Sequence, residues 1–165
     1  MFAYINMLRT ADHVYRHYTG LPFLAHSEIT PQIYLGGQYY AQALNNINRI
    51  GITAVVSMRE RPISELNGFG HIKKLHLPTK DMNPPTIESL QKGIAFMKQE
   101  INAGGKIYVH CHLGEGRGPS MVIAYLMSTG MLYEDAFALV KKIRPFIRPT
   151  KPQVERLKEF ETLIR

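Results

Sequence analysis

Cysteine is nearly absent from this chain, because Cys111 is the only one. An internal disulfide is therefore impossible, and a lone thiol suits the reducing environment of the cytoplasm. No apolar run approaches the roughly 20 residues that a membrane-spanning helix needs. The first residues also lack the basic start and the long apolar centre of a secretory signal. We therefore expect a cytoplasmic protein without a transmembrane segment.

Acidic residues are also in deficit, with 13 Asp and Glu against 20 Lys and Arg, so the net charge is +7. Much of the excess lies in residues 141–165. A basic surface attracts phosphorylated or otherwise anionic partners, although a solvated helix face accounts for these lysines equally well. No interleaved aromatic and basic residues accompany the charge, so nucleic acid is not expected as a partner.

The chain of 165 residues is long enough for one domain with a proper core. Short β-branched or apolar runs alternate with segments of helical spacing, which predicts an α/β fold. We expect a single domain with a central, mostly parallel sheet flanked by helices on both faces. Residues 1–28 are expected to form an N-terminal extension, helical in character, and residues 29–165 the main domain. The predicted strands lie at residues 33–35, 53–58, 72–77 and 107–109.

One stretch combines a strand, a loop and a helix. The apolar run Ile107–Val109 leads into a glycine-containing loop, and a nearly unbroken apolar run, Met121–Met127, follows. This order is typical of a buried strand, a tight loop and a buried helix. Such a loop directs its N–H groups, and the positive end of the helix, at one spot. That spot binds anions, and phosphate is the natural ligand.

The residues at the two ends of this loop suit phosphoryl transfer. Cys111 begins the loop, and among amide groups we expect it to be a thiolate nucleophile near neutral pH. Arg117 closes the loop and can hold two phosphate oxygens in bidentate fashion. The alternative is an inert buried cysteine in a glycine-rich turn. Nucleotide-binding loops are excluded, because the glycines match neither the Gly-Lys-Ser/Thr motif nor the dinucleotide fingerprint.

His110-Cys111, five further residues and Arg117 resemble the signature of the cysteine-dependent protein tyrosine phosphatases, in the form used by the dual-specificity branch. The resemblance covers residues 29–165 and implies that they form a phosphatase-like catalytic domain. It implies that Cys111 and Arg117 are catalytic and that His110 tunes the thiolate by hydrogen bonds. No cofactor or metal is expected, because Arg117 and the loop amides hold the phosphate. The implied phosphate-binding residues are His112, Leu113, Gly114, Glu115, Gly116 and Arg117.

The resemblance also implies a general acid. Asp81 lies in a proline-bounded loop about 30 residues before Cys111, and the family takes its acid from a loop at this separation. The acid is needed because the leaving oxygen must be protonated as the P–O bond breaks. Taken alone, Asp81 is more typical of a turn or a helix cap. Gln153 matches the water-positioning glutamine of many tyrosine phosphatases, and a solvent-facing residue of a first helical turn is the alternative.

One position departs from the family pattern. Family members usually carry Ser or Thr directly after the arginine, where the hydroxyl stabilises the departing thiolate. This chain has Gly118 there, followed by Pro119 and Ser120. The donor is missing unless Ser120 replaces it, so slow breakdown of the phosphocysteine is expected.

The predicted function is therefore hydrolysis of phosphate monoesters through a phosphocysteine intermediate. A phosphorylated protein is the expected substrate, with phosphotyrosine favoured. The first alternative is a phosphoinositide or other phospholipid headgroup, but Glu115 would repel additional phosphates if it faced the pocket. The second alternative is an inactive phosphate-binding module, which only Gly118 supports. A sulfur-transfer or arsenate-reducing enzyme is disfavoured by Asp81 and by the lack of a second cysteine.

Overall fold

The computed structural model of the chain describes residues 2–19, 26–38, 44–62 and 71–165. Six helices and five strands lie within these ranges. In chain order they are α1 (Phe2–Thr19), β1 (Ser27–Thr30), β2 (Ile33–Gly36), α2 (Leu44–Ile50), β3 (Ala54–Ser57), β4 (Lys73–His76), α3 (Ile87–Asn102), β5 (Ile107–His110), α4 (Arg117–Met127), α5 (Tyr133–Ile143) and α6 (Lys151–Ile164).

The five strands form one sheet in the order β1-β2-β5-β3-β4. β1 runs antiparallel to β2, and the other neighbouring pairs are parallel. β5 lies at the centre, and all four of its residues are buried, which is usual for a strand covered on both faces. Because β2, β5, β3 and β4 run in the same direction, their carboxyl ends meet at one edge. Ligand sites of open α/β sheets assemble at this edge.

Side chains of alternate residues point to opposite faces of the sheet. On one face, Leu35, Val56 and Val109 belong to the large core that the sheet forms with α3 to α6. On the other face, a smaller core includes Tyr108 and Ile47 of α2. Helices therefore cover both faces, and the predicted α/β fold is confirmed. All eleven residues of α4 are buried, because α3, α5 and α6 pack around this helix.

Predicted and observed elements agree to within a residue at β3 and β4. β1 was not predicted, and the expected boundary between residues 28 and 29 falls inside this strand. The N-terminal segment does contain a helix, α1. Gly51 follows α2 with a φ of 77°, as expected for a residue that ends a helix.

Three expectations lie partly outside the described residues. They concern the turn at residues 20–22, the helical positions Tyr40 and Ala43, and most of the charged loop of residues 59–70. Among the helices that the structure describes, none combines the length and the hydropathy required to cross a bilayer.

Candidate active site

Residues 111–117, the phosphate loop, connect the central strand β5 to α4 at the carboxyl edge of the sheet. Gly116 is the N-cap of α4, so the helix begins at Arg117. The loop forms the floor of a pocket of about 610 Å³, and Cys111 lies buried in that floor. Asp81 and Gln153 line the same pocket. The structure thus brings the predicted nucleophile, acid and anion-binding residues together.

The carbonyl groups around the loop accept hydrogen bonds from the surrounding protein. Four of them accept a hydrogen bond from a backbone N–H. The carbonyl of His110 accepts from Met58, that of His112 from Gln38, that of Glu115 from Arg148 and that of Gly116 from Ser120. Each of these bonds turns a carbonyl away from the pocket. Since the N–H of a trans peptide points opposite to its carbonyl, the amide groups turn inward.

Arg144 fixes two further carbonyls from beneath the loop. Its Nε donates to Gly114 O at 3.0 Å, and its Nη2 donates to Leu113 O at 3.3 Å. The guanidinium also donates to Ser27 Oγ at 3.2 Å and stacks on the Phe146 ring, 4.2 Å from its centroid. Burial lowers the pKa of Arg144, but an arginine stays charged at neutral pH. Sequence reasoning gave this residue no role, because only its side-chain contacts reveal one.

Several N–H groups of the loop remain available to an anion in the pocket. Within the described residues, no hydrogen bond uses the N–H of Leu113, Gly114, Glu115 or Gly116. Gly114 has a φ of 71°, and a Cβ there would collide with the Gly36 carbonyl, so the loop requires glycine at this position. Successive amides directed at one point form a concave anion site.

Arg117 connects the phosphate loop to residues 78–85, the acid loop. Its Nη2 lies 2.7 Å from Asp81 Oδ1, and its Nη1 donates to Thr79 O at 2.9 Å. The Arg117 side chain is buried, whereas that of Asp81 is 73% exposed. The acid loop therefore lies over the pocket, with the Asp81 carboxylate at its mouth.

Three side chains at the start of α6 hold the acid loop from the other side. Each donates to a different carbonyl of that loop: Thr150 Oγ1 to Met82 O at 2.9 Å, Gln153 Nε2 to Asn83 O at 3.0 Å, and Arg156 Nη1 to Pro85 O at 3.2 Å. Met82 has a φ of 63°, which is uncommon for a residue other than glycine. These contacts restrain the backbone on the carboxyl side of Asp81.

Gln153 is only 1% exposed, so the solvent-facing interpretation is wrong. Its Oε1 accepts the N–H of Thr150 at 2.9 Å, which completes a capping box at the start of α6. A Cβ on Gly116 would lie 2.8 Å from the same oxygen. Gln153 therefore lies between the acid loop and the phosphate loop, and its water-positioning role stays a prediction.

His110 is buried next to Cys111, with its ring stacked on Tyr108 at a centroid distance of 5.6 Å. Its Nδ1 lies 3.1 Å from the Cys111 carbonyl. A carbonyl only accepts, so Nδ1 carries the proton in this bond. Burial, reinforced by nearby cationic residues, lowers the pKa of His110 to about 4. His110 is therefore neutral at physiological pH and fixes the start of the loop through a backbone bond.

Gly118 and Ser120, which belong to the departure from the family pattern, lie in the first turn of α4. The hydroxyl of the buried Ser120 donates to Gly116 O at 2.9 Å, so its single proton is not directed at the cysteine sulfur. A Cβ on Gly118 would lie 3.4 Å from Cys111 N and 3.2 Å from Leu35 Cδ1. Position 118 therefore adjoins Cys111, whereas the hydroxyl at position 120 is engaged with the Gly116 carbonyl.

Glu115 lines the pocket, a position from which its carboxylate could repel additional phosphates. Its carboxylate is not a bare charge, because Arg9 of α1 lies 3.0 Å away. Arg9, Arg148 and Lys151 line the pocket as well. The expected repulsion is therefore weakened, and the charge of Glu115 does not decide between protein and lipid substrates.

Comparisons with known proteins agree with this geometry. Residues 33–163 match the family model described as "Dual specificity phosphatase, catalytic domain". Human dual specificity protein phosphatase 1 is 32% identical over 139 residues, which are 83% of this chain and 37% of that protein. The chain therefore belongs to the dual-specificity phosphatase catalytic-domain family. It spans less than half of the length of the curated relatives that it matches.

Solved structures show the same fold. The crystal structure of PTPMT1 in complex with PI(5)P has 28% sequence identity and a TM-score of 0.78, and the match covers 84% of this chain and 96% of that one. The human tyrosine phosphatase-like serine/threonine/tyrosine-interacting protein has 29% identity and a TM-score of 0.75, with 84% and 96% coverage.

Proposed function

We propose that this chain hydrolyses phosphate monoesters through a phosphocysteine at Cys111, with a phosphorylated protein as substrate and phosphotyrosine favoured. The observation that carries the proposal is the inward set of loop amides around Cys111, closed by the Arg117–Asp81 contact of 2.7 Å. The single thiol must stay reduced to act as the nucleophile, so we place the activity in the cytoplasm.

In the first step, the Cys111 thiolate attacks phosphorus and the bond to the leaving oxygen breaks. The loop amides and Arg117 stabilise the charge on the equatorial oxygens. Arg117 exchanges its contact with Asp81 for the bound phosphate. Asp81 then protonates the leaving oxygen, so the product departs as a neutral alcohol or phenol.

In the second step, water attacks the phosphorus of the phosphocysteine and the P–S bond breaks. Asp81, now a carboxylate, accepts the proton of the water, and the thiolate is regenerated as inorganic phosphate forms. Gln153 is suited to position this water, because it is buried between the two loops.

A phospholipid headgroup is the second candidate substrate. The similarity to PTPMT1 in complex with PI(5)P favours it, and so do the cationic residues Arg9, Arg148 and Lys151 around the pocket. The names of the curated relatives, which are dual specificity protein phosphatases, favour a phosphoprotein.

The test is a panel of phosphotyrosine peptide, phosphoserine peptide and dispersed PI(5)P, with kcat/KM measured for each. We expect the highest value for phosphotyrosine and no hydrolysis by the Cys111→Ser variant. A higher value for PI(5)P would assign the chain to the lipid class. If no substrate is hydrolysed while phosphate still binds in calorimetry, the chain is a binding module and the proposal is wrong.

A further inference from the structure

Helix α1 precedes the region that matches the family model, residues 33–163, yet it contacts the phosphate loop. Arg9 Nε lies 3.0 Å from Oε2 and 3.1 Å from Oε1 of Glu115. Its Nη2 donates to the Phe146 carbonyl at 3.1 Å, which fixes the plane of the guanidinium. The side chains of Arg9 and Glu115 are only 20% and 19% exposed. This pair is therefore more restrained than an ordinary surface ion pair.

Glu115 occupies an unfavourable place for a carboxylate. It lies in the phosphate loop between two glycines and lines the same pocket as Cys111. A negative charge there opposes the amide groups and Arg117, which attract a phosphate dianion. The pair with Arg9 removes most of this opposing charge, because the cation lies in direct contact with the carboxylate.

Two further cations lie near the pair. The pKa of Lys141 is lowered, first by burial and then by Arg9 and Arg148, whereas Glu115 raises it. Lys141 Nζ donates to the Ile147 carbonyl at 2.7 Å, and Arg148 donates its backbone N–H to Glu115 O. These cations screen Glu115 in part, so the loss of Arg9 should have a moderate effect.

We propose that α1 contributes to the active site: Arg9 neutralises Glu115 and thereby maintains the affinity of the phosphate loop for a phosphate dianion. The inference deepens the proposed phosphatase function and rests on it. It gives the N-terminal segment a role in substrate binding.

Binding of inorganic phosphate to the full chain, measured by isothermal titration calorimetry, tests this inference without any need for turnover. Arg9→Gln should weaken binding about five- to thirtyfold, the effect of one uncompensated charge near a dianion in a partly solvated site. Glu115→Gln should bind at least as tightly as wild type. The double variant should return to within about twofold of Glu115→Gln, because no carboxylate then needs neutralising.

Lys92→Gln is the matched control, because Lys92 forms an ion pair with Glu88 on α3, at 2.8 Å and away from the pocket. It should leave phosphate binding unchanged. If Arg9→Gln unfolds α1, Arg9→Lys serves as a second variant. It keeps the positive charge, so it is expected to bind phosphate within about threefold of wild type.

Two results would overturn this inference without contradicting the proposed phosphatase function. One is wild-type affinity in Arg9→Gln, and the other is weak binding that Glu115→Gln does not rescue. A wild-type chain that binds no phosphate instead contradicts the proposed function itself. The two failures are therefore distinguishable.

Discussion

Replacement of Gly118 by serine should accelerate turnover. The Cβ of the new residue would lie 3.4 Å from Cys111 N, so a hydroxyl on that carbon would lie close to Cys111. The tightest neighbour is Leu35 Cδ1 at 3.2 Å, a terminal methyl group that needs to move by only a few tenths of an ångström. Ser120 does not supply this donor, because its hydroxyl is bonded to Gly116 O.

The size of the effect follows from the charge on the departing sulfur. A hydrogen bond to a charged group is worth about 1.5–3 kcal/mol, which corresponds to roughly a ten- to hundredfold change in rate. In the wild-type chain this bond is absent, so breakdown of the phosphocysteine should be slower than its formation. Gly118→Ser should raise kcat by about this factor, with a much smaller change in kcat/KM.

The assay is rapid-quench kinetics with an aryl phosphate. Wild type should release a burst of phenol equal to the enzyme concentration, followed by a slower steady state. Gly118→Ser should shrink the burst. Gly118→Ala, which adds the same Cβ without the hydroxyl, should not raise kcat. If wild type shows no burst, or if the alanine variant accelerates turnover as much as the serine variant, a missing hydroxyl at position 118 does not limit turnover.

Three further predictions concern the acid loop and His110. Asp81→Asn should reduce kcat/KM about 10²- to 10⁴-fold for aryl phosphates with poor leaving groups and much less for acidic ones; an equal loss across the series would make Asp81 structural. Arg156→Ala frees the Pro85 carbonyl and should reduce kcat/KM by up to about tenfold, again most for poor leaving groups. Lys158→Ala on the same helix should show no such loss. His110 has a pKa of about 4 in the folded chain and about 6.5 when unfolded. The unfolded chain therefore binds more protons between these values, and stability falls as the pH is lowered through this window. In urea unfolding, His110 should account for about 2 kcal/mol of the stability lost between pH 7 and pH 5, and His110→Asn should remove that share.

The sequence predicts the centre of this molecule well because the signals there are local. A short apolar strand, a glycine-containing loop and a buried helix follow one another within residues 107–127, and each has its own pattern of residue types. Cys111 and Arg117 both lie within this segment, so its local pattern also predicts their positions. The positions of β3 and β4 follow from equally local runs.

The long-range contacts could not be predicted in this way. Arg9 and Glu115 are 106 residues apart in the chain, and Arg156 and Pro85 are 71 apart. No periodicity specifies which carbonyl a distant arginine reaches, since that depends on how the helices pack. Arg144 was missed for this reason, and the exposure of Gln153 was judged wrongly. β1 was missed because four residues at a sheet edge carry little pattern of their own.

Detection of the covalent intermediate at Cys111 is the decisive test of the proposed mechanism. Wild-type chain mixed with an aryl phosphate and quenched in acid within the burst phase should carry one phosphate on Cys111, as detected by peptide mass spectrometry. Cys111→Ser should show neither this adduct nor hydrolysis, while it still binds inorganic phosphate in calorimetry. Appreciable hydrolysis by Cys111→Ser, or phosphate found on another residue of the wild type, would rule out a phosphocysteine mechanism at Cys111.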